Sequence, residues 1–357
     1  MKIILAIDSF KGCFSSEEVE AILAEAFGRE GFEVCSVPMS DGGEGMLEAF
    51  IGALNGRYIE ATVHDPLMRP VGSKYGITAD GTAVIETARA CGLTLMSPAE
   101  RNPLVATTYG VGELIADAVH RGYRRFIIGL GGSGTSDAGR GMLQALADVF
   151  TPNGELGELA ESVLKECRFT LASDVRNPLY GENGAARVFG PQKGATPEMV
   201  SELDRRARDF ARQAALLTGK DMSLAPGAGA AGGLGYAFMQ FLEARAQSGA
   251  DLLLDVSGFE GLLEQADLII TGEGSADRQT LMGKLPERVL QRGLKHGVPV
   301  WLVAGRTQQV AELQTAGFAR VDCITPPSMC TEEAIRPANA RKHLKEWVAR
   351  VLPELKR

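Results

Sequence analysis

The sequence is poor in the residues that build metal cages, disulfide frameworks and membrane anchors. Its 357 residues include four histidines, two tryptophans and six cysteines. The cysteines, at 13, 35, 91, 167, 323 and 330, lie far apart and form no C-x-x-C pair. That spacing excludes the common zinc cages and suggests no disulfide framework, so reduced and mostly buried thiols are expected. No run of ~18 apolar residues occurs, so no membrane-spanning helix is expected. The opening MKIILAIDSF places Asp8 right after its apolar run, as a first strand does and a secretory leader does not; the expected location is cytoplasmic. The net charge of −8 is spread along the chain without a Lys/Arg-rich run, which removes the electrostatic footprint of a nucleic-acid or membrane-surface binder. A small-molecule partner is expected, and homo-oligomerisation stays open. No lysine is followed by Ser or Thr, so a Walker A loop is excluded.

Glycine, by contrast, is plentiful, and it gathers in loops that follow apolar runs. Residues 126–142, FIIGLGGSGTSDAGRGM, join a buried-strand pattern to a loop of glycines, small hydroxyls and Asp137. Residues 129–134 match G-x-G-x-x-G literally, which invites a dinucleotide site. That motif also needs a second strand and an acidic residue about 20 positions on to hold the ribose. Here the text after the next helix is DVFTPNGELGEL, turn-rich and without such a strand, and the dinucleotide reading is set aside.

The chain begins with strand, acidic glycine loop and helix, twice: residues 2–8, a helix over 17–27, a strand over 33–39 and a helix over 46–54. Residues 58–63, 71–78 and 83–87 read as an antiparallel meander around the turn signals Asp65-Pro66, Arg69-Pro70 and Asp80-Gly81. Helical spacing returns over 109–121 and a strand over 125–130. Residues 150–165 are helix-prone, 169–175 read as a strand and 197–218 as a long amphipathic helix. Glycine-rich 226–235 opens another helix, and short strands near 267–271, 298–304 and 322–325 restore the first rhythm. Alternating strands and helices imply a doubly wound parallel sheet. The expected fold is therefore α/β, with one such domain over 1–50, 103–148 and 258–357 and a second, inserted mixed-sheet α/β domain over 51–102 and 149–257.

In an open parallel sheet, ligands bind outside the carboxyl ends of the strands, where the unusual residues of this chain accumulate. Asp8, Ser9 and Lys11 follow the first strand, Asp41 and Glu44 the second. Gly131, Gly132, Ser133, Thr135 and Asp137 follow the 126 strand, and Glu273, Asp277 and Lys284 lie in TGEGSADRQTLMGK. Lys11 and Lys193 each precede a glycine, which lets local backbone approach an anion. Glycine loops, lysines and carboxylates together are the parts that phosphoryl transfer needs. Asp41, Glu44 and Asp174 can equally be helix or turn caps.

Taken together the loops resemble the glycerate kinase family. The resemblance runs through AIDSFKG (6–12), PMSDGGEG (38–45), HDPLMRPV (64–71), RNPLVATTYGVGELI (101–115), GLGGSGTSDAGRGML (129–143), SDVRNPLYGENGAARVFGPQKGA (173–195), PGAGAAGGLG (226–235) and TGEGSADRQTLMGK (271–284). It implies a flavodoxin-like domain joined to a second mixed α/β domain, with the active site between them. It implies ATP- and Mg²⁺-dependent phosphorylation of D-glycerate, giving 2-phosphoglycerate. The chain departs from the family pattern at Gly134, Ser136 and Ala138, at Cys13, and at Ser275-Ala276, where a basic residue is usual.

On this reading Asp8, Lys11, Asp41, Lys193 and Asp277 are the catalytic candidates, as hydroxyl base, metal anchor or neutralising cation. Gly131, Gly132, Ser133, Thr135 and Lys284 are assigned to the nucleotide. Ser9, Arg69, Arg101 and Asn177 are assigned to glycerate, the arginines because a guanidinium suits a carboxylate. Glu44, Glu273 and Asp277 are assigned to Mg²⁺. Two rivals remain distinguishable: an NAD-dependent oxidoreductase acting on a hydroxy acid, and a non-catalytic sensor of glycerate or nucleotide.

Overall fold

An aliphatic strand with no polar face is stable only at the centre of a sheet covered on both sides, and residues 3–7 are completely buried. The structure, a computed structural model, describes residues 1–10, 12–40 and 45–356. Its described strands are β1 (Lys2–Ile7), β2 (Glu33–Ser36), β3 (Arg57–His64), β4 (Pro70–Ile77), β5 (Thr82–Glu86), β6 (Arg125–Gly129), β7 (Arg168–Ala172), β8 (Arg245–Gln247), β9 (Leu268–Ala276), β10 (Val300–Thr307) and β11 (Arg320–Cys323). They form two sheets in two compact units, one of Met1–Asp41 with Ala250–Arg357 and one of Gly42–Gly249.

The first unit holds a five-stranded sheet in the order β11-β10-β9-β1-β2, parallel throughout. Renumbered within the unit, this is the 2-1-3-4-5 order of a flavodoxin-like sheet, whose direction of winding reverses between β1 and β9. Helix Ser16–Arg29 starts where Ser15 and Glu18 form a reciprocal capping box, as the Ser-Ser-Glu-Glu text suggests. Its apolar stripe, Val19, Leu23 and Phe27, packs with Leu344, Trp347 and Val351 of helix Pro337–Leu355 over Ile3, Leu5 and Ile7. Phe27 meets Trp347 edge to face. Helix Leu285–His296 packs against β9 and β10.

The second unit holds a six-stranded mixed sheet, β3-β4-β5-β6-β7-β8. The meander of β3, β4 and β5 is antiparallel, but β5 also pairs in parallel with β6, and β6 with β7. This corrects the expected boundary: residues 103–148 belong with the second unit, because β6 finds its partners in its chain neighbours and helices Tyr109–His120 and Arg140–Phe150 pack on each other beside it. The insertion is thus continuous. The helix over 197–218 forms as expected, Pro197–Thr218, capped by Thr196. The 150–165 stretch does not become an α-helix: it makes two 3-10 segments, Leu156–Glu161 and Val163–Glu166, parted at Ser162. Short, polar β8 carries no periodic signal and was not expected. Among the described residues no helix is long and apolar enough to cross a membrane.

Candidate active site

The polar residues expected at one sheet edge are divided between the carboxyl edges of two sheets. In the first unit, Asp8 leaves β1 with its backbone N–H donating to the carbonyl of Gly272 at 2.9 Å, so the β1–β9 ladder fixes where its side chain emerges. Its Oδ1 accepts from the Ser9 backbone N–H at 2.7 Å. Across the switch point stands Glu273 of β9, 7% exposed. Both its oxygens are engaged: Oε1 accepts from the Thr280 hydroxyl at 2.6 Å and Oε2 from the Lys284 ammonium at 3.1 Å. The Asp277 backbone N–H donates to the Thr280 hydroxyl, and Asp277 Oδ1 accepts from the Gln279 N–H at 2.7 Å. Asp277 therefore caps the short helix Arg278–Leu281 and orients Glu273 through Thr280. The Asp-x-x-Thr spacing of that cap is visible in the sequence; the role of Thr280 is not, because it depends on the strand end curling back toward Glu273.

A cavity of about 380 Å³ opens at this edge. Asp8, Ser9, Glu273 and Lys284 line it together with Phe10, Ile324, Ile335 and Arg306 of β10.

In the second unit the centre is Lys193, which is 3% exposed. Its ammonium donates to the Ser133 hydroxyl at 2.8 Å and to the Thr135 carbonyl at 2.7 Å. Burial pushes its pKa down to about 8, against the opposing pull of the Asp137 carboxylate. The neighbouring Cys91 thiol is driven up to about 12, chiefly by the same burial, and so stays protonated. Gly194, at φ +92°, allows the Lys193 loop to lie against Arg101: a Cβ there would sit 2.7 Å from the Arg101 carbonyl oxygen. The Nε of Arg101 is buried without a hydrogen-bond partner among the described residues. A buried guanidinium nitrogen without an acceptor is costly unless an anion supplies one. Asp137, by contrast, is used up by its own fold. It accepts from the Thr108 N–H and hydroxyl and from the N–H groups of Gly139 and Gly141, all between 2.9 and 3.1 Å. It organises the start of helix Arg140–Phe150 rather than presenting a free carboxylate. The loop at Gly131 and Gly132 is a turn, tied to the 91–93 segment by the Gly92–Ser133 bridge, and does not open a helix as a dinucleotide loop does.

A model of the glycerate kinase family matches residues 3–356. The chain belongs to the glycerate kinase family. It is an enzyme, a kinase. It is 41% identical over 359 residues to the glycerate 2-kinase of Escherichia coli (strain K12), covering 95% of this chain and 94% of that one. It is 40% identical over 358 residues to the glycerate kinase of Bacillus subtilis (strain 168), with the same coverage. A crystal structure assigned as glycerate kinase 2 from Salmonella typhimurium LT2 matches it with a TM-score of 0.82 at 36% identity, over 100% of this chain and 98% of that one.

In this glycerate kinase family member, Arg69 is fully engaged inside its unit. Its guanidinium donates to Asp65 Oδ2 at 2.6 Å, Glu100 Oε1 at 2.7 Å and the Leu95 carbonyl at 3.1 Å, so it staples the 65–69 turn to the 95–100 segment. Asn177 donates its side-chain amide to the Asn183 carbonyl at 2.8 Å and its backbone carbonyl receives the Gly229 N–H, closing a loop. Of the expected pair of arginines, Arg101 alone has a buried nitrogen without a hydrogen-bond partner among the described residues. Lys11, Asp41 and Glu44 lie outside the described residues. Among the described residues no three Asp, Glu, His or Cys side chains converge as a metal cage. Mg²⁺ carried on nucleotide phosphates needs only one or two protein carboxylates, and Asp8 with Glu273, lining one cavity, fits that lesser demand.

Proposed function

We propose that this kinase transfers the γ-phosphoryl group of ATP to the 2-hydroxyl of D-glycerate, giving 2-phosphoglycerate and ADP. The observation that carries the acceptor side is the buried Lys193 ammonium, on a loop whose Gly194 packs against the backbone of Arg101, a residue whose Nε is buried without a partner among the described residues. Two cationic groups on one loop junction suit a small acid that carries a carboxylate and receives a phosphoryl group. The 2-position is supported by the name of the Escherichia coli relative, a glycerate 2-kinase.

In this reading Arg101 takes the glycerate carboxylate and Lys193 offsets charge on the transferring phosphoryl, which is the main demand of such a transition state. Ser133 and the Thr135 carbonyl hold the ammonium in place. Asp8 is the group that accepts the hydroxyl proton or anchors the metal, Glu273 is held ready by Thr280, and Lys284 meets the nucleotide phosphates. Asp8 and Glu273 would hold Mg²⁺, which would supply neutralisation of phosphate charge.

Coupled ADP release measured over small hydroxy acids, with the product position assigned by ³¹P NMR, tests this. The expected outcome is ADP release that needs both ATP and D-glycerate, with phosphorus on the 2-oxygen. Release with none of the acids overturns the reading, and a nicotinamide absorbance change in its place would make the enzyme an oxidoreductase.

A further inference from the structure

We propose that a cavity in the second unit, at the amino ends of β7 and β8, binds a small carboxylic acid with an aliphatic body, apart from the site of phosphoryl transfer. This cavity has a volume of about 380 Å³, within the range of small-molecule sites. Its walls come from the 3-10 segments over 156–166 and from the last residues of helices Pro197–Thr218 and Leu234–Phe241. Cys167, the residue before β7, and Leu242 and Glu243, shortly before β8, also line it. Ser133 and Thr135, which hold Lys193, follow the carboxyl end of β6, and β6, β7 and β8 run parallel. The cavity therefore lies at the opposite edge of the same sheet.

Its lining selects the class of ligand by elimination. Leu159, Leu164, Leu217, Phe241 and Leu242 supply an apolar wall, and half-exposed Leu217 leaves surface for a ligand to cover. The uncharged polar groups are spent on the fold. Gln240 donates to the Thr218 hydroxyl and the Lys220 carbonyl, each at 2.6 Å, and accepts the Met222 N–H at 2.8 Å. The Thr218 hydroxyl donates to the Ala214 carbonyl at 2.9 Å. The exposed Glu243 carboxylate stands in water, 4.0 Å from the Lys220 ammonium. What remains for a ligand is Lys220 and the exposed Lys165, which has no ion-pair partner among the described residues. Lysine stems lie along apolar surface and keep their ammonium groups in water, so the pair brings positive charge to the rim of an apolar hole. A cation is repelled there, a polyphosphate leaves the leucines uncovered, and glycerate has no apolar body to bury. A short fatty acid uses both the wall and the rim.

Occupancy of this cavity is expected to be felt at Lys193. Helix Leu234–Phe241, about 12 Å long, is buried along its whole length. Phe241 at its end lines the cavity, while Gly232, just before its start, lies against the Thr135 carbonyl that accepts the Lys193 ammonium. A ligand that repacks Phe241 thus bears on that carbonyl through one packed element. This kinetic effect, unlike the site itself, rests on the role proposed for Lys193.

The test is calorimetric titration of the full-length protein with octanoate, 1-octanol and octylammonium, paired with turnover at saturating ATP and D-glycerate. Octanoate is expected to bind at one site with a Kd below ~1 mM, 1-octanol at least ~10-fold more weakly and octylammonium not measurably. Lys165→Glu and Lys220→Glu, each checked for folding by circular dichroism, are expected to weaken octanoate binding at least ~5-fold. Saturating octanoate is expected to change kcat at least ~2-fold in the wild type. No octanoate binding, equal binding of the three probes, or unaltered octanoate affinity in both folded variants overturns the site and leaves the kinase reading intact. Binding with an unchanged kcat overturns the coupling through the helix. Octanoate binding by a protein that phosphorylates no hydroxy acid supports the site and overturns the substrate reading. The three probes are compared on the unaltered chain, so misfolding of either variant leaves the decision in place.

Discussion

At Lys193 an ammonium is held with two uncharged oxygen acceptors and, among the described residues, no carboxylate at ion-pair distance. Desolvation then decides its titration, and the pKa falls to about 8. A cation that offsets transition-state charge must carry its proton. The alkaline limb of kcat/KM is therefore expected near pH 8, with activity lost as pH rises through that value and no contribution from this group well below it. Lys193→Met is expected to fold, as read by circular dichroism, and to lose at least ~100-fold in turnover. Near-normal kinetics in that variant would remove Lys193 from the site. The Lys-Gly pair and the small hydroxyls of the 133–135 loop are legible in sequence because few structural duties require them. The partners of Arg69 and Asp137 are illegible for the opposite reason: both stand on loops, and only the fold shows that Asp65 bonds the first and that Thr108 and two backbone amides bond the second.

Elements were legible where local pattern decides them, as in Pro197–Thr218 and in β1, and illegible where a distant partner does. The second glycine tract is an instance. It reads as the opening of a helix, but Gly232, at φ +67°, has no room for a side chain because a Cβ would lie 2.1 Å from the carbonyl oxygen of Thr135. Its own carbonyl accepts the Ala138 N–H at 3.0 Å. The tract's closeness thus sets the position of the Thr135 carbonyl that holds Lys193. Gly232→Ala combines a left-handed backbone with a clash and is expected to cost at least ~2 kcal/mol in denaturant unfolding. It should also lower kcat more than it changes KM for ATP.

A second element-scale test concerns Glu20 of helix Ser16–Arg29, which is 1% exposed and accepts the Ile7 N–H at Oε1 while Oε2 has no partner among the described residues. Burial raises its pKa well above 4.5. The unfolded chain therefore releases this proton first, and the stability that the protonated form confers declines as pH rises from 4.5 toward the folded value. Glu20→Gln is expected to raise Tm at pH 8 by at least ~2 °C and to change it little at pH 4. An equal shift at both pH values would show that the carboxyl's charge is not the cause.

At the scale of the whole molecule, the chain alternates strand and helix nearly throughout, and this rhythm alone cannot say which sheet a strand joins. The expected boundary gave residues 103–148, and β6 with them, to the first domain. Strand pairing followed chain adjacency instead, β5 to β6 to β7, as consecutive strands most often do. The consequence is a second unit that is one continuous segment with its own core, from Tyr75, Leu114 and Phe126 to Leu146, Phe169 and Phe238. A continuous segment with a private core should fold alone. Residues 42–249 expressed separately are expected to unfold cooperatively and, holding Lys193 and Arg101, to bind D-glycerate by calorimetry without binding ATP. The complementary chain, with 42–249 replaced by a short Gly/Ser linker, is expected to bind ATP and to hydrolyse or transfer nothing, since Lys193 is absent. ATP binding by the 42–249 fragment, or glycerate binding by its complement, would exchange the roles assigned to the two units, because each then holds the chemistry expected of the other.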